Sequence, residues 1–177
     1  MEGVERYKVN LMPHNAAWEE EYKQVYAELK QCWNTNILGI QHIGSTAIKA
    51  IYAKPILDVA VKLQSIHKID IGALECLGYE YCGARGGSEN YHLFVLRGEN
   101  QISLRHIHCY DKSEKEFDLL VRFRDYLNAH INVAKQYEHI KKELAQKYPN
   151  DRIAYTAGKA EFIHSVYDRI ERVLCDD

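Results

Sequence analysis

The chain has 177 residues, 46% of them apolar and 27% charged, with 23 Lys+Arg against 25 Asp+Glu and a formal net charge of −2. That length favours one globular unit, and the composition excludes disordered, collagen-like and low-complexity chains. The balanced charge offers no general pull toward nucleic acid, and no run approaches the roughly 18 apolar residues of a membrane span.

In chain order, Asn15 is a suitable N-cap for a helix with Glu19, Glu20 and Glu21 near its positive end. Its Trp18, Tyr22, Val25, Tyr26, Leu29 and Trp33 fall on one stripe at three- and four-residue steps. A strand over Ile37–Ile43 ends in Gly44-Ser45-Thr46, and a second strand, Pro55–Leu63, follows a turn or short helix. Ser65–Leu77 reads as a short helix stopped by Gly78, and Gly83–Ser88 as a flexible loop, a lid or a surface excursion. Tyr91–Leu96 and Gln101–Tyr110 read as a hairpin closed by Gly98-Glu99-Asn100.

The last third is helical. Ser113 and Glu116 have capping-box spacing ahead of Phe117, Leu120, Phe123 and Leu127. Asn132 can cap a helix carrying Ala134, Tyr137, Ile140, Leu144 and Tyr148, which Pro149-Asn150 breaks. A final helix after Thr156 carries Ala160, Ile163, Val166, Tyr167, Ile170 and Leu174. The pattern predicts an α/β (α+β) protein: a sheet core over residues 1–111 with C-terminal helices, residues 112–177, packed on it. The start lacks the apolar core of a signal peptide. The five cysteines, Cys32, Cys76, Cys82, Cys109 and Cys175, form no CxxC pair, as expected of reduced thiols in a cytoplasmic protein.

Chemistry concentrates in two stretches. In the first, Gly44 lets backbone amides approach a ligand closely, and Ser45 and Thr46 add hydroxyls, a plausible triphosphate cradle. Asp58 alternates with Leu57 and Val59 on the second strand, where a carboxylate is costly unless it is hydrogen-bonded, paired or metal-bound. In the second stretch, His106 and His108 are two apart on a strand and share a face. If they converge with Asp58 they form a His₂-carboxylate set for one divalent metal, with at least one histidine expected within about 5 Å of the carboxylate; without metal the histidines would bond to phosphate or to each other's neighbours. Lys54 either flanks the phosphate site or is a solvated loop lysine. Lys159 opens the last helix, where the dipole disfavours a cation, and this points to an anionic partner, a carboxylate or a bound phosphate. Arg124 and Asp125 project about 100° apart on a helix and need not pair; Arg124 reads as structural. Cys109 reads as buried rather than reactive.

The Gly-Ser turn followed by a strand aspartate resembles the nucleotidyltransferase superfamily of the DNA polymerase beta type. More specifically, the chain resembles the GrpB family through His42-Ile-Gly-Ser-Thr-Ala47, Ala53-Lys-Pro-Ile-Leu-Asp58, Arg105-His-Ile-His108, Phe123-Arg-Asp-Tyr-Leu127, Tyr137 with Lys141, and Tyr155-Thr-Ala-Gly-Lys159. The resemblance implies a nucleotidyltransferase-like mixed sheet core with added helices, a nucleoside triphosphate as substrate and a divalent metal, Mg, Mn or Zn. Two departures stand out. Lys49-Ala50 replaces the usual Pro-Gly, which predicts a more helical spacer, and Ala60 stands where the superfamily has a second carboxylate. Three functions follow: nucleoside monophosphate transfer to an unknown acceptor, with Asp58 and His108 catalytic and Gly44, Ser45, Thr46, Lys54 and Lys159 on the nucleotide; a nucleotide- or phosphate-binding module that has lost catalysis; or a metal-dependent phosphoester hydrolase. The expected partner is a small phosphate-bearing molecule, with no nucleic acid and no membrane.

Overall fold

A computed structural model describes all residues except Met1, Arg6, Asp176 and Asp177, and describes no side chains from residue 173 onward, so the expected packing of Leu174 lies outside the described residues. The strands β1 (Ile37–Ile43), β2 (Leu57–Leu63), β3 (Tyr79–Arg85), β4 (Ser88–Arg97) and β5 (Ser103–Asp111) form one mixed sheet in the order β1-β2-β5-β4-β3. β2 and β5 run parallel, and the other neighbours are antiparallel. Period-two alternation sends Leu57, Val59, Val61, Leu63, Ile107 and Cys109 to one face. There they pack on Val25, Leu29 and Trp33 of the first helix, α1 (Ala17–Trp33), and the Asn15 side chain accepts the Ala17 amide at 2.9 Å. Arg105 faces this side as well, bonded to Glu21 (2.6 Å), Glu28 (3.0 Å) and the Tyr79 hydroxyl (3.2 Å), so of the Arg-x-Ile-x alternation only the histidines reach the opposite face.

That opposite face carries Ala60 and Tyr110, covered with Ile43 by Phe117 of α3 (Glu116–Ala129). Helices α4 (Ile131–Lys147), α5 (Arg152–Ala157) and α6 (Ala160–Cys175) complete this layer. Leu127, Ala134 and Tyr137 bury Ile48 and Ile51 from the chain between β1 and β2. That connection is irregular rather than helical after the short 3₁₀ turn Ser45–Ala47. Polar side chains of α3 and α4 hold it open: Asn128 bonds to Ala47 and Lys49, Glu138 accepts the Tyr52 amide, and the buried Lys141 ammonium sits on the Tyr52 carbonyl.

Other elements depart from the sequence reading for local reasons. β2 starts at Leu57, since Pro55 has no N–H for a ladder. Ser65–Leu77 splits into a 3₁₀ turn, Ile66–Lys68, and a short helix, α2 (Ile71–Glu75), because extended Asp70 interrupts it and caps the second piece through the Ala73 amide. Gly83–Ser88 is no lid: β3 and β4 continue as a hairpin, and Gly86-Gly87 turns it at positive φ. Ser113 bonds back to Asp111 instead of capping α3, and His130 rather than Asn132 occupies the cap of α4. The last helix starts at Ala160, and a short helix that the pattern did not show, α5, precedes it, with Asp151 capping it through the Ile153 and Ala154 amides.

The joint between α5 and α6 depends on Gly158, whose missing side chain leaves room for Leu144 of α4; an added Cβ would clash with Leu144 Cδ2. Because Gly158 is exposed and Leu144 half-buried, the Leu144 side chain can move aside, and Gly158→Ala is expected to cost at most about 1 kcal/mol. Calorimetry of the Gly158→Ala/Leu144→Ala double variant should show a loss smaller than the sum of the two single losses.

Candidate anion and metal site

The parallel β2–β5 register pairs Asp58 with His106 and Ala60 with His108, and all four side chains share the face under α3 and α5. His106 Nδ1 lies 2.9 Å and His108 Nε2 3.3 Å from Asp58 Oδ1, and the three candidate ligand atoms all fall within 4.8 Å of one another. Burial raises the Asp58 pKa, but the hydrogen bonds from both histidines outweigh it and hold the carboxyl well below the usual carboxylate range. Burial lowers His106, opposed by Asp58.

The turn after β1 brings backbone against this carboxylate. Gly44 has φ +71°, and a Cβ there would sit 2.6 Å from Asp58 Oδ2, so conformation and space both require glycine. Gly44 and Ser45 open onto a cavity of about 180 Å³ that Lys54, Asp58, His106, Arg152 and Lys159 also line. Its walls are aromatic: Phe123, Tyr137, Tyr155 and Tyr167. The ammonium groups of Lys54 and Lys159 lie 5.1 and 4.7 Å from the centre of the Tyr155 ring. Among the described residues, Lys54, Arg152 and Lys159 have no hydrogen-bond or ion-pair partner. Burial, reinforced by the charges of Arg152 and Lys159, lowers Lys54 to about 7. Burial also lowers Lys159 to about 8, against the pull of Asp58, and depresses Arg152. Three cationic side chains thus share one cavity with a single aspartate, and an anion of several charges would offset their mutual repulsion.

His108 sits beside this cavity, in a groove that shares Gly44, Asp58 and Lys159 with it. The Tyr91 hydroxyl is 2.8 Å from His108 Nδ1, and its ring stacks on those of His108 and Tyr110. With Nδ1 engaged outward, Nε2 points at Asp58, the arrangement that orients metal-ligating imidazoles. Ligands of one tetrahedral ion with bonds of about 2.0–2.2 Å stand about 3.3–3.6 Å apart, so the observed separations fit a single ion after small adjustments. The nitrogen-rich set favours Zn²⁺ or Mn²⁺ over Mg²⁺. Ala60 is fully buried against Ile43, Tyr110 and Phe117, leaving no room for a second carboxylate.

Gly44, Ser45, Lys54, Asp58, His106 and Lys159 thus meet at one cavity, with His108 adjoining. Thr46 does not join them. It is buried, and its hydroxyl is shared between His42 Nε2 (2.9 Å) and the Ile56 carbonyl (3.4 Å), so it braces the turn. Arg124 is structural, bonded to Gln41 and the His42 carbonyl, and its flexible side chain also reaches Asp125 at 2.8 Å. Cys109 is buried, and burial pushes its thiol far up. Arg152 escaped the sequence reading, although the signal that marked Lys159, a cation at a helix N-terminus, marks it too. Tyr137 and Tyr167 read as core residues yet wall the cavity.

The profile described as GrpB protein matches residues 8–169. The Glutamate-rich protein GrpB of Alkalihalophilus pseudofirmus is 33% identical over 96% of this chain and all of its own length. The chain is 32% identical to the UPF0157 protein YqkA of Bacillus subtilis over 93% of its length and spans about half (48%) of that relative. The crystal structure of the conserved protein GrpB from Enterococcus faecalis superposes with a TM-score of 0.84 at 30% identity, covering 93% of this chain and 99% of that one. The Cid1 poly(U) polymerase bound to MgGTP superposes with a TM-score of 0.51 at 12% identity, over 77% of this chain and 44% of that one, a likeness of nucleotidyltransferase fold. No helix among the described residues is long and apolar enough to cross a membrane.

Because Lys54 and Lys159 lose charge as pH rises through about 7 to 8, anion affinity should fall over that interval. Sulfate keeps its own charge there, and calorimetric titration should give a several-fold weaker affinity at pH 9 than at pH 6.5. Gly44→Ala should abolish this binding and lower the melting temperature.

Proposed function

The chain belongs to the GrpB family and has the nucleotidyltransferase fold, and from that premise we propose that it transfers a nucleoside monophosphate from a nucleoside triphosphate to a hydroxyl acceptor. The observation that carries this reading is the convergence of Lys54, Arg152 and Lys159, whose side chains have no hydrogen-bond or ion-pair partner among the described residues, on the cavity of Asp58 and the Gly44-Ser45 turn. The cations and the Ser45 hydroxyl would hold the triphosphate, and its negative charge would relieve their mutual repulsion. Catalysis would rest on positioning and charge neutralisation.

A divalent ion, held by Asp58 and His108, would neutralise charge on the transferred phosphoryl group. His106 is better suited than His108 to take the acceptor's proton. Its Nδ1 is oriented by Asp58 and its Nε2 has no partner among the described residues, whereas both His108 nitrogens are engaged. The acceptor oxygen would bond to the α-phosphorus while the bond to the α,β-bridging oxygen breaks. Pyrophosphate leaves, and the hydroxyl proton passes to His106. Clustering of all three ligand atoms within 4.8 Å favours a second reading, phosphoester hydrolysis with His106 as a metal ligand.

Incubation with α-labelled nucleoside triphosphates and a small-molecule extract tests both. Transfer predicts labelled product and pyrophosphate, lost at least 100-fold in Asp58→Asn, which should still fold. His106→Ala should stop transfer and retain metal, whereas hydrolysis predicts that the same variant loses metal and that the native protein cleaves simple phosphate esters. Tight nucleotide binding without turnover would reduce the protein to a binding module.

A further inference from the structure

A second concavity, of about 780 Å³, adjoins the site from the other side of His106 and Arg152, which line both spaces. Its floor is the β4–β3 half of the sheet on this face, with Val95 buried at its base and Leu93 and Cys82 half-buried. In the antiparallel register Val95 stands beside His106 and Leu93 beside His108, and Cys82 continues the floor on β3. These three residues take no part in the apolar clusters packed on the sheet and under the helices. The rim is basic. Arg85 has no hydrogen-bond or ion-pair partner among the described residues, and Arg97 is held in place by Glu80 (2.7 Å) and Ser103 (3.2 Å). The lining carboxylate, Asp151, is engaged by the Ile153 and Ala154 amides at the start of α5.

We propose that this groove is the acceptor site, and that the acceptor is a small amphiphilic anion with a hydroxyl, an apolar body and one carboxylate or phosphate. The inference rests on the transferase reading. The volume suits a small molecule, the apolar floor beside His106 and His108 takes the body, and Arg85 takes the anionic group. The acceptor hydroxyl would then meet the donor at His106, which receives its proton as the oxygen bonds to the α-phosphorus and pyrophosphate departs. Donor and acceptor would enter from opposite sides of one histidine.

The test uses the full chain and 1-anilinonaphthalene-8-sulfonate, an aromatic anion whose fluorescence rises when bound. The native protein should bind it, and 4-hydroxyphenylacetate should displace it where phenol at equal concentration does not. Arg85→Gln, at an exposed hairpin end, and Leu93→Gln should each weaken binding at least fivefold with melting temperatures near native. Unchanged affinity in both variants overturns the groove. ATP titrated into Lys159→Ala tests the donor cavity separately. A groove that responds while ATP affinity ignores Lys159→Ala overturns the transferase reading and the acceptor role with it.

Discussion

A carboxylate on a central strand is tolerated only where its charge is satisfied, and the candidate site is arranged around that requirement at Asp58. The parallel pairing of β2 with β5 supplies two imidazoles at the same height. The turn after β1 comes so close that only glycine fits at position 44. Shift the β5 register by one residue and Arg105 and Ile107 would face the carboxylate instead, with both histidines turned into the apolar layer under α1. The site therefore depends on the parallel strand pair more than on any helix.

The C-terminal helices bring the countercharge. Short polar contacts from α3 and α4 hold the irregular connection between β1 and β2, and this connection carries Lys54. The α5–α6 joint brings Arg152 and Lys159 to the same space. Burial depresses these cations, and no described carboxylate makes an ion pair with them. In the proposed function a bound anion would supply the missing countercharge and favour their protonated forms. Under the proposed transfer, with Ala60 in place of a second carboxylate, charge neutralisation would fall on these cations and on the metal held by Asp58 and His108.

The sheet and most helices were legible because period-two and period-3.6 apolar patterns survive wherever one face is buried, as in β2 and α1. Boundaries set by a single side chain were not. Asp70 splits one helix and Asp151 starts another, and neither effect is visible without the backbone amides each side chain accepts. Asp58, His106 and His108 stood out because polar residues on an apolar strand need a reason. Arg152 drew no attention in the sequence, and Tyr137 and Tyr167 read as core or boundary residues, because a cavity wall has the same periodicity as a core. Thr46 misled for the opposite reason: a hydroxyl beside a glycine turn suits a ligand and a brace equally, and its hydrogen bond to His42 decides the matter.

The most direct measurement is a crystal structure with a non-hydrolysable nucleoside triphosphate analogue and Mn²⁺. Triphosphate oxygens should lie within hydrogen-bond distance of Lys54, Arg152, Lys159 and the Gly44-Ser45 turn, with Mn²⁺ on Asp58 and His108. A triphosphate bound away from those cations, or a metal that avoids Asp58, would contradict this arrangement.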